Sequence, residues 1–176
     1  MCSLLILISS SDAFSQVSAA KVNIWPATKA SLIIKYLNYV VWPTSVLPSK
    51  KEPLTICLFR GDPLEEYIPK AASKEHSPYT LTVKKVGYKD SFYGCHILFV
   101  SEGNNDHIDE VIASTKGKPI LTMSDIRGFA KNGGIAGFFI RSNGHKETVL
   151  EINISSLQSS GIHIDTDFIS IMDIYR

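Results

Sequence analysis

The sequence has almost no bias toward either sign of charge, and this lack excludes one large class of partners. Eighteen lysine and arginine residues are balanced by seventeen aspartate and glutamate residues, which leaves a formal charge of +1. Domains that bind nucleic acid usually carry a basic stripe with interleaved aromatic residues, and this sequence contains no such stripe. We therefore expect no nucleic-acid partner.

Motifs for catalysis and for metal binding are missing as well. There is no Gly-x-Ser-x-Gly elbow, and Ser124-Asp125 is more typical of a helix cap than of a catalytic triad. The glycines of GGIAGF (133–138) follow a predicted helix and precede a predicted strand, whereas a phosphate-binding loop needs the reverse order. None of the histidines has the spacing of a metal motif; they are His76, His96, His107, His145 and His163. These absences predict a protein that is not an enzyme and that holds no cofactor and no metal.

Long apolar runs are also scarce. No run approaches the roughly 20 residues that a membrane-spanning helix needs. The first twenty residues, MCSLLILISSSDAFSQVSAA, place a short apolar core among serines and alanines, a pattern typical of the back half of a secretory signal. They carry no lysine or arginine, so the alternative is an ordinary apolar N-terminus. We favour a truncated signal at 1–20, a mature domain at 21–176 and a periplasmic location.

Cysteine is rare, and its few positions are informative. The sequence has three cysteines, of which Cys2 would be lost with the signal. Cys57 and Cys95 remain as an even number, and in an exported protein they predict a disulfide. Two buried, reduced thiols are the alternative.

The stretch from Lys118 to Ile154 is the part of the sequence richest in secondary-structure signals. Ser124 and Asp125 offer cap oxygens for a short helix, and Asn132-Gly133-Gly134 supplies the positive φ that would end it. Asn143-Gly144 suits a type I′ hairpin turn. The stretch predicts a β-α-β-β unit with a strand at 119–122, a helix at 126–131, a strand at 135–141 and a strand at 148–154.

Helices and strands alternate along the rest of the chain. Predicted strands lie at 54–59, 79–86 and 94–100. Predicted helices lie at 27–42, 63–72 and 106–114, after Ser155 or Ser156 up to Gly161, and at 168–175. Alternation with a hairpin near the end predicts an α/β fold, a single-domain sandwich with a mixed, mostly parallel sheet flanked by helices.

The assembled motifs resemble the YfiR-like family of periplasmic proteins over nearly all of the mature chain. The motifs that carry the resemblance are YLNYVVWP with Trp42 and Pro43, LTICLFRGDP, CHILFV, ILTMSDIRGFAKNGGIAGF with Gly133 and Gly134, and EINISSLQSSGIHI with Asn153. Their order and spacing together make the resemblance specific. The closing stretch DFISIMDIYR is more polar than the apolar ending common in the family.

This resemblance implies a regulator. The best-understood member holds an inner-membrane diguanylate cyclase inactive by binding its periplasmic part, and its release raises cyclic di-GMP and promotes biofilm formation. An outer-membrane lipoprotein can sequester that member. The implied partner is therefore the periplasmic part of such a cyclase or of a similar receptor, with an outer-membrane lipoprotein as a second partner and a homodimer left open. Cys57 and Cys95 fall on the disulfide pair of the family.

A small-molecule carrier is the competing hypothesis. In α/β proteins, ligands bind at the carboxyl edge of the parallel strands. In this sequence such a pocket would lie near 101–104 or near Ser124. Several aromatic residues in predicted loops, among them Tyr88 and Tyr93, are compatible with a binding protein of either kind.

Overall fold

The computed structural model describes residues 25–47, 51–142, 144 and 146–176. The predicted signal at 1–20, with Cys2, lies outside the described residues, as do Asn143 and His145 of the predicted hairpin turn.

The described elements alternate between helix and strand for most of the chain. In order they are α1 (Trp25–Tyr36), β1 (Val40–Val41), β2 (Leu54–Phe59), α2 (Leu64–Lys74), β3 (Leu81–Val86), β4 (Ile97–Val100), a 3₁₀ helix (Glu102–His107), α3 (Ile108–Thr115), β5 (Leu121–Ser124), β6 (Ala136–Ser142), β7 (Lys146–Asn153), α4 (Ile154–Ser160), β8 (His163–Ile164), α5 (Thr166–Ile169) and β9 (Asp173–Tyr175).

Seven of these strands form one sheet in the order β3-β2-β4-β5-β6-β7-β9. Neighbouring strands from β3 to β6 pair in parallel, β6 and β7 form an antiparallel hairpin, and β9 pairs in parallel with β7. The prediction of a mixed, mostly parallel sheet flanked by helices is confirmed. β1 and β8 pair separately as a two-residue antiparallel ladder.

The central strands are continuously apolar because both of their faces are covered. On β2, Leu54, Ile56 and Leu58 belong to the larger core, which α1 and α2 cover. Cys57 and Phe59 point to the other face and join a smaller apolar cluster that includes Val111 of α3.

The first predicted helix is shorter than expected. We predicted helix over 27–42, but α1 ends at Tyr36, and turns with i→i−3 hydrogen bonds lead into β1. Val40 and Val41 then pair with Ile164 and His163, more than 120 residues later in the sequence. β-Branched residues tolerate extended backbone well, so this pairing outweighs the helical spacing of the apolar residues.

The predicted helix at 126–131 is wrong. This segment is a series of turns, in which Gly128 has a φ of +80° and cannot continue a right-handed helix. Ser124, expected as a helix cap, is the last residue of β5.

The last predicted helix, at 168–175, is also largely wrong. A single turn of helix, α5, ends at Ile169, and Asp173–Tyr175 form the edge strand β9. Pairing with β7 supplies backbone partners that this side of β7 would otherwise lack. At α4 the N-cap is Asn153, whose side chain accepts from the Ser156 N–H, where we expected Ser155 or Ser156.

Candidate functional site

The carboxyl edge of the parallel strands is the first place to look for a site. In the sheet, β2 and β4 are neighbours; the chain continues from β2 to β3 on one side of this pair and from β4 to β5 on the other. The carboxyl ends of β2 and β4 therefore form the switch-point crevice where α/β folds usually bind ligands. Asn104 fills this crevice. Its Nδ2 atom donates to the Phe59 carbonyl at 3.3 Å and lies 3.1 Å from the Ser101 hydroxyl oxygen, so it joins the two strand ends.

A buried cluster of charges closes the same edge. The Lys29 ammonium of α1 donates to Asp125 Oδ2 at 3.0 Å and lies 3.9 Å from Asp62 Oδ2. All three side chains are nearly excluded from solvent. The second Asp125 oxygen accepts from the Glu102 N–H at 2.8 Å, and Asp62 Oδ1 accepts from the Leu64 N–H at 2.9 Å. The cluster therefore ties α1 to the ends of β2, β4 and β5, and its polar atoms already have partners.

The carrier pocket expected near 101–104 or Ser124 is thus occupied by the chain itself. The Ser124 hydroxyl also has local partners, because it donates to the Val100 carbonyl at 2.6 Å and accepts from the Ile126 N–H at 3.0 Å. A ligand at this edge would have to displace buried, paired groups.

Cys57 and Cys95 form a disulfide in the structure, with their Cα atoms 5.7 Å apart. The bond joins the middle of β2 to the segment just before β4, and both residues are buried in the smaller apolar cluster. The pairing expected from the cysteine count and from the family resemblance is therefore present.

Trp42 and Pro43, which belong to the family motif YLNYVVWP, directly follow β1, and Trp42 is buried in the larger core. The Trp42 indole N–H donates to the His96 carbonyl at 3.2 Å. His96 Nδ1 in turn accepts from the Thr55 N–H at 2.9 Å, and burial lowers the pKa of this imidazole. Trp42 and His96 thus fix the β1 corner to the starts of β2 and β4.

Gly133, Gly134 and Asn153 are brought together where β6 begins and the antiparallel strand β7 ends. Gly133 has a φ of +107°, as the predicted turn requires. Gly134 serves a different purpose, because a Cβ there would lie 2.1 Å from Cε1 of Phe129. Asn153 donates to the Ala130 carbonyl at 2.9 Å and caps α4, so it links the turn segment to the following helix. These contacts give the three residues a structural part in the turn that leads into β6 and in the start of α4.

The residue that sequence reasoning missed is Glu151 of β7. Its side chain is fully buried, and Oε1 accepts from the Ala130 N–H at 3.0 Å. Oε2 and the Tyr36 hydroxyl oxygen have no hydrogen-bond partner within the described part of the chain. Burial raises the pKa of both groups, and the charge of Asp173 raises the pKa of Glu151 further, whereas the nearby backbone N–H groups of 128–130, of which the Ala130 N–H donates to Oε1, oppose this rise.

A sequence signal for this residue did exist. Glu151 is an acid between two apolar residues of a strand, directly opposite Gly137 on β6. A Cβ at position 137 would lie 2.5 Å from Glu151 Oε1, so the glycine provides the space that the carboxylate occupies.

Seven large apolar side chains are exposed among the described residues. Tyr93 is 90% exposed, Ile171 67% and Val41 62%, whereas Phe138 and Phe139 are buried. Within the described residues, no cluster of three or more histidine, cysteine, aspartate or glutamate side chains could hold a metal ion. No helix in the described ranges is both long enough and apolar enough to span a membrane.

Comparison with known proteins identifies one family and a fold. The model of the YfiR/HmsC-like family matches residues 26–171. No curated protein matches the chain. A crystal structure of a conserved domain protein from Vibrio cholerae O1 biovar El Tor is similar, with a TM-score of 0.55 and 12% identity over 86% of this chain. An ABC domain from Streptococcus pneumonia in complex with L-Trp is similar, with a TM-score of 0.55 and 14% identity over 86% of this chain. The chain spans 60% of each of these two solved chains, and at such identities the similarity shows the fold alone.

Proposed function

This chain belongs to the YfiR/HmsC-like family, and from that premise we propose that it is a non-enzymatic periplasmic regulator that binds and inhibits a membrane-bound diguanylate cyclase. The family match over most of the described chain is the observation that carries the proposal. Inhibition would keep cyclic di-GMP low, and release of the cyclase would favour biofilm formation.

The placement of the charged groups supports binding over catalysis. The buried charges at the carboxyl edge, Lys29, Asp62 and Asp125, are paired with one another and with backbone N–H groups. Cys95, the residue most suited to nucleophilic chemistry, is joined to Cys57. A protein of this kind acts through its surface, by occupying a partner.

Capture of the partner tests the proposal. Residues 20–176, immobilised in oxidised form, would be incubated with detergent-solubilised inner membranes, and the retained proteins would be identified. Retention of a diguanylate cyclase is the expected result. Retention of none, by the oxidised or the reduced protein, would contradict the proposal.

Surface variants give the capture experiment its specificity. Tyr93→Asp and Ile171→Asp each place a charge on an exposed apolar position, and Thr80→Asp places the same charge on an exposed polar position as a matched control. Apolar residues commonly anchor protein interfaces, so one of the first two variants should lose the cyclase while Thr80→Asp retains it.

A small-molecule carrier is the second candidate. The observation that favours it is the fold shared with a solved domain whose structure contains L-Trp. A thermal-shift screen of the purified chain against classes of metabolite separates the two candidates, because a carrier would be stabilised by one class without any protein partner.

A further inference from the structure

A cavity of about 590 Å³ lies on the face of β6, β7 and β9 that α1 does not cover. Small-molecule sites usually have volumes of about 300–1,000 Å³, so a ligand of the size of a sugar fits. The cavity is lined by side chains of these strands and of the 125–134 turn segment; those that matter below are Glu151, Arg127, Lys131, Arg141, Asp173 and Phe139.

Glu151 gives the cavity a hydrogen-bond acceptor. The residue is fully buried, one carboxylate oxygen is held by the Ala130 N–H, and the other has no partner within the described part of the chain. A buried polar atom without a partner destabilises the fold, so a ligand group that donates to it gains affinity. Gly137 leaves room for this side chain and for no larger neighbour.

The rim of the cavity carries excess positive charge. Arg141 is already paired, with Asp173 at 3.0 Å and with Glu147 at 3.9 Å. Arg127 and Lys131 form no salt bridge within the described residues, and the Arg127 guanidinium lies 5.5 Å from the centre of the Phe139 ring. An anionic group entering the cavity would therefore meet two cations that lack a carboxylate partner.

We propose that this cavity binds a small hydroxylated carboxylic acid, such as a uronic acid. A ligand hydroxyl donates to Glu151 Oε2, and the ligand carboxylate pairs with Arg127 and Lys131. An amino acid fits less well, because its ammonium group would lie among three basic side chains, and a neutral sugar leaves the rim charges unpaired. This inference deepens the small-molecule candidate and rests on it, and it is compatible with a regulator whose binding state responds to a ligand.

Isothermal titration of purified residues 20–176 with matched probes tests the chemistry. The probes are D-glucuronate, D-glucose, D-glucosamine, propionate and L-serine. We expect D-glucuronate to bind at least about tenfold more tightly than each of the others, since it alone combines a hydroxyl donor and a carboxylate with no ammonium group. Binding of D-glucose or L-serine as tight as that of D-glucuronate would overturn the proposal.

Two variants assign the binding to this cavity. Arg127 is exposed, so Arg127→Ala should fold normally and weaken D-glucuronate binding about tenfold. Lys116→Ala removes an exposed cation that does not line this cavity, and it should bind as the wild type does. Unchanged binding by Arg127→Ala would overturn the site. The titration needs no membrane or partner, so its failure is distinguishable from failure of the cyclase capture.

Discussion

Removal of the Cys57–Cys95 disulfide is the perturbation whose magnitude follows most directly from the structure. The bond closes a loop with a sequence separation of 38 residues, which contains α2 and β3. In the chain-entropy model, a loop of this length stabilises the folded state by about 4 kcal/mol, because the cross-link restricts the unfolded chain. For a domain of this size, each kcal/mol corresponds to a shift in Tm of about 2–4 °C, so we expect Tm to fall by about 8–16 °C.

Urea unfolding of the Cys57→Ala/Cys95→Ala variant measures this loss. The two tryptophans, Trp25 and Trp42, provide a fluorescence signal. Without the cross-link the unfolded chain is more extended, so the variant should show a lower midpoint and an equal or steeper slope. Alanine rather than serine keeps the buried position apolar, so the difference reports mainly on the link.

Reductant supplies the internal control for this experiment. It should lower the stability of the wild type by a similar amount and leave the double variant unchanged. Equal midpoints for the wild type with and without reductant would contradict the predicted stabilisation by the disulfide, as would a difference in the free energy of unfolding between wild type and variant below about 1 kcal/mol.

Three further substitutions test other contacts. Gly134→Ala should destabilise the fold by about 1–3 kcal/mol or more, because its Cβ would lie 2.1 Å from the Phe129 ring. Gly103→Ala is the control, because a Cβ at position 103 would have no atom within 4 Å, and equal urea midpoints for the two variants would contradict the prediction. Lys29→Met should lower the free energy of unfolding by about 3–5 kcal/mol, since it leaves two buried aspartates without their counter-ion. Exposed Lys70→Met is the control, and a loss below about 1 kcal/mol for Lys29→Met would show that the cluster contributes little to stability. The raised pKa of Glu151 means that the folded protein holds this proton more tightly than the unfolded chain does. The stability of the wild type relative to Glu151→Gln should therefore fall as the pH rises above 4.5, the ordinary pKa of a glutamate side chain. Parallel profiles of Tm against pH for the two proteins would contradict this.

The parts of the fold that could be predicted from the sequence are those whose signal is local. LTICLF is an unbroken apolar run between turn residues, and β2 has the predicted bounds. The turn at Gly133 was predictable because positive φ is a property of a single position. The helix predicted at 168–175 is wrong because 173–175 pairs with β7, a contact that no local pattern encodes. The helix predicted at 126–131 is wrong because Gly128 has a positive φ, and the Ala130 N–H there donates to the Glu151 side chain of β7.

The candidate site was harder to predict for the same reason. Lys29 and Asp125 are separated by 96 residues, and neither stands out from the charged residues near it. Glu151 differs from its neighbours in the sequence only as an acid between two apolar strand residues, and its burial depends on the Ala130 N–H and on the space beside Gly137. The pairing of Cys57 with Cys95 was predictable from the sequence, because the predicted mature chain contains no other cysteine.

The ion pairs of Lys29 also constrain the order in which the parts of the chain can fold. α1 is synthesised early, but its ammonium group depends on Asp62 and on Asp125, so its burial cannot be completed before residue 125 is available. If the chain crosses a membrane unfolded and N-terminus first, the helix emerges well before its second counter-ion. During that interval the apolar face of α1, with Ile33 and Ile34, is without most of the sheet that covers it in the folded protein. The exposed apolar face makes the segment prone to aggregation at that stage.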